Sequence, residues 1–161
     1  MSDTMTDPRP LAGQPAPDFS LPRDGGGEVR LSAHRGAPVV LYFYPRDDTS
    51  GCTKQAQAFT ALGSELQLAG ARVLGVSKDT IAKHEKFRDK YDLGVTLLSD
   101  AESDVCERYG VWVEKKMYGK TFMGIERTTF LIDAEGKVAR VWPKVKVAGH
   151  AEEVLDAVRA L

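Results

Sequence analysis

Residues 38–56, PVVLYFYPRDDTSGCTKQA, join an apolar run to a polar loop and then to the beginning of a helical pattern. The run at 38–44 is unbroken and rich in β-branched and aromatic residues, which is typical of a strand covered on both faces. Pro45 ends this strand because proline has no N–H to donate to a sheet. Beyond Gly51, apolar residues recur at helical spacing. The stretch therefore predicts a buried strand, a polar loop and a helix.

The rest of the chain continues this alternation of strands and helices. The segment Ser99-Asp100-Ala101-Glu102 fits a capping box, which predicts a helix over 102–109 that stops at Gly110. The order of elements predicts an α/β layer sandwich with a mixed central sheet flanked by helices. We expect residues 1–10 to form a flexible tail and residues 11–161 a single domain. The other predicted strands are 19–21, 29–31, 72–77, 95–98, 128–132 and 138–142, and the other predicted helices are 80–91 and 150–161.

Composition excludes several classes of protein. Among the 161 residues, 22 Lys and Arg stand against 23 Asp and Glu, which is not the basic balance of a nucleic-acid binder. The longest apolar runs are too short to span a membrane, and the polar N-terminal segment lacks a signal-peptide pattern. We therefore expect a cytoplasmic protein with no nucleic-acid or membrane partner. In a reducing cytosol, its two cysteines are expected to be free thiols rather than a structural disulfide.

The chemistry suggested by this sequence is concentrated at Cys52. A cysteine at a helix N-terminus meets unpaired N–H groups and the positive end of the helix dipole, which stabilise the reactive thiolate. Pro45 would shield one side of the thiol, and Thr49 could hold a hydroxyl near the sulfur. The alternative is that Cys52 is a small packing residue, as free cysteines often are. A polar loop followed by a helix start is a poor place for packing, so a reactive thiol is favoured.

Two separate strings of residues resemble one known family. The pattern Pro45-x-x-x-Thr49-x-x-Cys52 resembles the active-site motif of peroxiredoxins. Residues 42–56, YFYPRDDTSGCTKQA, and residues 115–133, KKMYGKTFMGIERTTFLID, are similar to the peroxiredoxin Q subfamily, also called bacterioferritin-comigratory proteins. The resemblance implies a thioredoxin-like fold and a peroxidatic cysteine at Cys52, with Pro45 and Thr49 beside it.

Arg127 is the active-site arginine that this resemblance implies. Taken alone, an arginine before a strand is most often a solvated surface residue. The family's arginine, however, precedes a Thr/Ser-Thr-Phe strand, as Arg127 does. A fixed guanidinium beside the sulfur would stabilise the thiolate and donate to peroxide oxygens. We expect Arg127, the Thr49 hydroxyl and backbone N–H groups near Cys52 to be the donors that bind the peroxide.

The second cysteine leaves two possibilities open. Many members of the subfamily carry a cysteine five positions after the first, where this chain has Gln57. The remaining candidate is Cys106, which shares one side of its predicted helix with Val105 and Tyr109. That stripe predicts a buried packing residue, since free cysteine is among the most buried residue types. The alternative is that Cys106 resolves an oxidised Cys52 as a disulfide.

The resemblance implies a thiol-dependent peroxidase that reduces hydrogen peroxide and organic hydroperoxides through a sulfenic acid on Cys52. Thioredoxin, glutaredoxin or a low-molecular-weight thiol would return the thiol, and a monomer or weak dimer is expected. No cofactor is expected, and His34, His84 and His150 show no spacing that predicts a metal site. One alternative is a thiol–disulfide oxidoreductase, although residues 52–55, CTKQ, lack the Cys-x-x-Cys pattern. The other is a non-catalytic redox sensor or holdase that transmits oxidation to a partner.

Overall fold

The computed structural model describes residues 9–161, so most of the predicted tail at 1–10 lies outside the described residues. No helix among residues 9–161 is long and apolar enough to cross a membrane. A 3-10 turn (Leu31–His34) follows the second strand. In chain order the elements are β1 (Ser20–Pro22), β2 (Glu28–Arg30), β3 (Val39–Phe43), α1 (Ser50–Ala61), α2 (Gly63–Leu68), β4 (Arg72–Ser77), α3 (Ile81–Tyr91), β5 (Thr96–Ser99), α4 (Val105–Arg108), β6 (Trp112–Met117), β7 (Lys120–Ile125), β8 (Thr128–Ile132), β9 (Val138–Trp142) and α5 (His150–Arg159).

The central sheet has five strands in the order β5-β4-β3-β8-β9. β3 pairs in parallel with β4 and β4 with β5, whereas β8 is antiparallel to both β3 and β9. The sheet is therefore mixed and flanked by helices, and the predicted thioredoxin-like sandwich is confirmed. All five residues of β3 are buried, as the unbroken apolar run predicted.

Side chains of β3 alternate between the two faces of the sheet. Val39, Leu41 and Phe43 join a core cluster that includes residues of α4, on what we call the α4 face. Val40 and Tyr42 join a second cluster that includes residues of α1, α3 and α5, on what we call the α1 face. Because both faces are covered, every position of this strand must be apolar or aromatic.

The helix predicted to begin at Glu102 is wrong at its start, because α4 is a single turn that begins three residues later. The N-cap residue is Asp104, and the side chain that accepts from the first amides of the helix is that of Asp100 rather than the predicted Ser99. The buried carboxylate of Asp100 accepts from the backbone N–H of Val105 at 3.2 Å and of Cys106 at 2.8 Å. The hydroxyl of Ser99 instead donates to a carbonyl of a neighbouring loop. One side chain with two acceptor oxygens satisfies the free amides that the capping box was expected to satisfy.

The hairpin of β6 and β7 was not predicted from the sequence. Its strands pair from Trp112↔Ile125 to Met117↔Lys120 around the two-residue turn Tyr118-Gly119. Both turn residues have positive φ, 53° and 76°, which matches the twist of tight hairpins. The charged residues in β6 obscured the alternation that would have predicted a strand.

The ring of Tyr42 restricts position 75 to glycine, which generates a stability prediction. A Cβ on Gly75 would lie 2.7 Å from Cζ of Tyr42, whose ring stacks on Phe59 with centroids 5.0 Å apart. We expect Gly75→Ala to lower the free energy of unfolding by about 1–3 kcal/mol through overpacking, measured by urea denaturation. Gly63→Ala is the matched control, since no described atom lies within 4 Å of a Cβ there. Equal stability of the two variants would contradict this account.

Candidate active site

The loop between β3 and α1 places Cys52 in the first turn of a helix. Asp48 turns the chain with a φ of 58°, and the N–H of Thr53 donates to the carbonyl of Thr49 at 2.9 Å to close that turn. Cys52 is 1% exposed and packs on the α1 face. Thr49 is the N-cap residue, but its side chain does not cap the helix. The amides of the first turn and the positive end of the helix dipole are therefore available to stabilise a thiolate.

Arg127 is the basic group that the tertiary structure brings to Cys52. Its Nη2 donates to Sγ of Cys52 at 3.3 Å, and its Nη1 donates to Oε1 of Gln55 at 2.7 Å. Gly51 leaves room for the guanidinium, because a Cβ there would lie 3.1 Å from Nη2. A fixed cation thus lies against the sulfur, in the position that the resemblance implied.

Pro45 and Thr49 lie at the two ends of the loop that leads to Cys52. The hydroxyl of Thr49 donates to the carbonyl of Arg46 at 3.0 Å, and a carbonyl oxygen can only accept. In this arrangement the one proton of Thr49 is used within the loop, and the hydroxyl presents its lone pairs as acceptors. Pro45 is half-buried and offers no N–H.

Cys106 lies on the opposite face of the sheet from Cys52. It is fully buried in the core cluster of the α4 face, whereas Cys52 belongs to the cluster of the α1 face. Burial, together with the nearby carboxylate of Asp100, raises the pKa of the Cys106 thiol far above its usual range. Because the thiolate is the nucleophilic form, this thiol is poorly suited to attack another sulfur.

A buried hydrogen-bond network lies beneath the loop that carries Thr49. The Tyr44 hydroxyl donates to Oδ1 of Asp47 at 2.5 Å, and Nδ1 of His84 lies 2.6 Å from Oδ2 of the same carboxylate. Nε2 of His84 is 2.8 Å from the carbonyl oxygen of Leu98, at the end of β5. The backbone N–H of Asp47 donates to Oδ2 of Asp79 at 2.8 Å. The loop is therefore bound to α3, to β5 and to the segment that follows β4.

Sequence reasoning missed this network, because Asp47 and His84 are 37 positions apart. One ligand atom each of Asp47, Asp79 and His84 lie within 4.8 Å of one another, a grouping that the spacing of the histidines and cysteines in the sequence does not indicate. Several of these atoms already bond to one another or to neighbouring protein groups. The one available signal was the place of His84 beside Phe87 on the apolar side of a charged helix.

Lys115 is a second basic residue near the site that sequence reasoning missed. Lys115 is half-buried, whereas the adjacent Lys116 is exposed. Burial, followed by the positive charge of Arg127, lowers the pKa of Lys115, while the neighbouring Cys52 opposes that change. Its methylene chain lies over Gly124, where a Cβ would approach it to 3.2 Å. The glycine therefore makes room for this lysine beside Arg127.

Comparison with known proteins agrees with this geometry. The AhpC/TSA family matches residues 12–141. The chain is 55% identical to a putative peroxiredoxin bcp of Coxiella burnetii over 143 residues, which are 89% of this chain and 95% of that protein. It is 46% identical to peroxiredoxin Bcp of Escherichia coli K12 over 145 residues, which are 90% of this chain and 93% of that protein.

Solved structures give the same result. A structure of peroxiredoxin Q from Xanthomonas campestris superposes with a TM-score of 0.84 at 46% identity, covering 88% of this chain and 90% of that one. Peroxidoxin BcpB of Mycobacterium tuberculosis superposes with a TM-score of 0.84 at 37% identity, covering 95% and 99% of the two chains. Sequence and fold therefore agree over about nine-tenths of the chain, and it belongs to the AhpC/TSA family as a thiol peroxidase of the peroxiredoxin Q, or Bcp, subfamily.

Proposed function

We propose that Cys52 is the residue that reduces the peroxide, and that hydrogen peroxide and organic hydroperoxides are both substrates. The observation that supports this proposal most directly is the 3.3 Å contact between Nη2 of Arg127 and Sγ of Cys52, which lies in the first turn of α1. The thiolate attacks the terminal peroxide oxygen, and the O–O bond breaks. Its electron pair leaves with the second oxygen, which takes a proton to become water or an alcohol, and Cys52 becomes a sulfenic acid.

The choice of organic hydroperoxides is supported by a relative. The alkyl peroxide reduction activity of the Xanthomonas campestris bacterioferritin comigratory protein has been studied in trapped intermediate and ligand complex structures. That protein is 46% identical to this chain. The same reaction at Cys52 would accept any peroxide whose terminal oxygen reaches the sulfur, since the leaving group differs only in its alkyl substituent.

Arg127 acts mainly on the transition state. An ordinary thiol has a pKa of about 8.5, so complete ionisation at pH 7 gains at most about 30-fold in reactive thiolate. Enzymes commonly supply about a million-fold or more, so the larger share must come from groups that position the peroxide and stabilise charge on its departing oxygen. The guanidinium of Arg127 and the amides of the first turn are the donors for this task. Thr49 contributes an acceptor that orients a peroxide proton.

We propose that an external thiol returns Cys52 to its reduced form, so that the cycle uses one cysteine of this chain. Cys106 packs on the opposite face of the sheet, and its neutral thiol has no path to Cys52 without rearrangement of the core. Thioredoxin, glutaredoxin and low-molecular-weight thiols are the reductants that this chemistry admits. Residues 11–161 act as one domain, as a monomer or weak dimer in the cytoplasm.

Replacing Cys52 tests the assignment of the nucleophile. We expect Cys52→Ser to lose peroxide turnover and to form no sulfenic acid with a dimedone-type probe, because an alcohol is far less nucleophilic than a thiolate. The wild-type protein with excess thiol reductant should consume many equivalents of peroxide, whereas a sensor would stop near one. Turnover at the wild-type rate in Cys52→Ser would exclude Cys52 as the nucleophile.

Replacing Arg127 separates thiolate formation from transition-state stabilisation. We expect Arg127→Ala to lower the second-order rate constant with hydrogen peroxide by well over the ~30-fold that loss of thiolate could explain. The rate should stay low at pH about 9, where an ordinary thiol is largely ionised. Arg159→Ala, at an exposed helix end, is the control. Full recovery of Arg127→Ala at high pH would show that the arginine only promotes ionisation.

Replacing Cys106 tests the one-cysteine cycle. One equivalent of peroxide should add one oxygen to the intact mass of the wild-type protein rather than remove two hydrogens. Cys106→Ser should keep most of the thiol-dependent turnover, because Cys106 only fills space on the α4 face. A near-quantitative Cys52–Cys106 disulfide in a peptide map, with collapse of thioredoxin-dependent turnover in Cys106→Ser, would make Cys106 the resolving residue.

A further inference from the structure

The buried pair of Asp47 and His84 lies directly behind the loop that ends in Thr49. The side chain of His84 is 0% exposed and that of Asp47 is 5% exposed, so water does not compete for their contact. Tyr44, also buried, donates to the other oxygen of the carboxylate. Both oxygens of Asp47 and both nitrogens of His84 therefore bond within the protein.

The number of protons in this network follows from its acceptors. A carbonyl oxygen only accepts, so Nε2 of His84 carries a hydrogen that it donates to Leu98. Oδ1 of Asp47 accepts from Tyr44. The 2.6 Å contact between Nδ1 and Oδ2 then needs one further proton, held by either atom. Without it, two lone pairs would face each other at that distance inside the protein, which is repulsive.

The electrostatic surroundings favour keeping this proton. Burial by itself would lower the pKa of His84, but the hydrogen bond to Asp47, the charge of Asp47, the Leu98 carbonyl and the charge of Asp79 outweigh it, and the pKa is raised. Tyr44 is the other titratable group that faces the pair, and burial raises its pKa above the usual range, so it remains a donor. The stabilisation is fully present below the ordinary imidazole pKa of about 6.5 and is lost as the pH rises through the raised value.

On its own helix, the charged neighbours of His84 make no hydrogen bond to the pair. Lys83 and Lys86 are exposed and line a surface pocket together with Asp47 and Asp79, and Glu85 accepts a hydrogen bond from the backbone N–H of Gly25 at 3.0 Å. Whether the Asp47–His84 contact keeps its proton therefore depends chiefly on Asp47 in the loop, on Asp79 and on the Leu98 carbonyl of β5.

The loop transmits the position of Asp47 to the sulfur. The bond between Asp47 and Asp79 attaches the loop to the interior, whereas the adjacent Asp48 accepts from Lys90 and from the Tyr91 hydroxyl in contacts at the exposed surface. From Asp47 the chain reaches Thr49 in two residues, and the carbonyl of Thr49 accepts the first bond of the helix that carries Cys52. Movement of Asp47 therefore moves both the acceptor hydroxyl and the first helical turn.

We propose that Asp47 and His84 are positioning residues for the peroxide step, whose shared proton holds residues 45–49 and the first turn of α1 in the geometry that reacts. The inference rests on Cys52 being the nucleophile. Loss of the proton at alkaline pH releases the loop, so that Thr49 and the first-turn amides no longer converge on the peroxide. Neither residue touches the substrate, and both act through the backbone of the loop.

Asp47→Asn is the variant that separates geometry from titration. The Asn carbonyl oxygen can accept from Tyr44, and its NH₂ group can donate to Nδ1 of a neutral His84 that keeps its hydrogen on Nε2. Both hydrogen bonds of the side chain at position 47 are then preserved, and neither depends on a proton that is lost as the pH rises. Asp48→Asn removes a carboxylate from the adjacent exposed position and is the matched control, since Asn tolerates the positive φ found there.

The first measurement is the second-order rate constant of the reduced protein with hydrogen peroxide, by stopped flow from pH 6 to pH 10. The rate constants of the wild-type protein and of Asp48→Asn should rise with pH as the thiol ionises. They should then fall by about tenfold or more at alkaline pH, because the charge-assisted hydrogen bond between His84 and Asp47 is lost. Asp47→Asn should match the wild-type rate near pH 7 and show no alkaline fall. Asp47→Ala should be slow throughout. An equal alkaline fall in Asp47→Asn, or none in wild type, would overturn the proposal.

The second measurement does not need catalysis and uses the Cys52→Ser protein. The ¹⁵N shifts of the His84 ring should titrate above the ordinary imidazole range, and the amide signals of residues 50–53 should move with the same midpoint. In Cys52→Ser carrying Asp47→Asn, the ring should stay neutral and those amides should not move. If the amide signals of residues 50–53 do not change as His84 titrates, the positioning role is refuted. Peroxide turnover by Cys52→Ser would refute the proposed nucleophile and leave this measurement intact.

Discussion

Burial of β3 on both faces is the constraint on which the rest of the molecule depends. Its five residues are all inside, so helices and loops must cover both sides of the sheet. The strand stops where Pro45 can no longer donate to the ladder, and the polar segment that follows emerges at one edge. Cys52 therefore follows the end of a fully buried strand, on a helix that packs against the same sheet.

Strand register then assembles the site from distant parts of the chain. β3 and β8 are antiparallel with Phe43 opposite Thr128, which brings Arg127 next to the segment that leaves β3. β3, β4 and β5 are parallel, so their carboxyl ends meet at the same edge, where polar side chains can interact. Asp79 follows β4, and the carbonyl that accepts from His84 belongs to β5. Arg127 beside the sulfur and the buried Asp47–His84 network behind the loop therefore both lie at this one edge of the sheet.

The two cysteines have identical side chains but lie in different electrostatic environments. Cys52 lies at a helix start against a guanidinium, and Cys106 lies in the opposite core cluster beside a carboxylate. A positive neighbour stabilises a thiolate and a negative neighbour in a dry core disfavours it. The central sheet therefore separates two thiols in opposite electrostatic environments, which their sequence positions alone do not indicate.

The sequence by itself determined the alternation of strands and helices, the central buried strand and the position of Cys52 at a helix start. These features depend on local properties: apolar periodicity, a proline that ends a strand and residues that begin a helix. Resemblance added Arg127. Only the tertiary structure decided the short α4, the hairpin of β6 and β7, the hydrogen bond from Thr49 to Arg46 and the Asp47–His84 pair. Each of these depends on which polar groups meet once the strands are in register, and hydrogen-bond partners far apart in the chain leave no periodic pattern in the sequence.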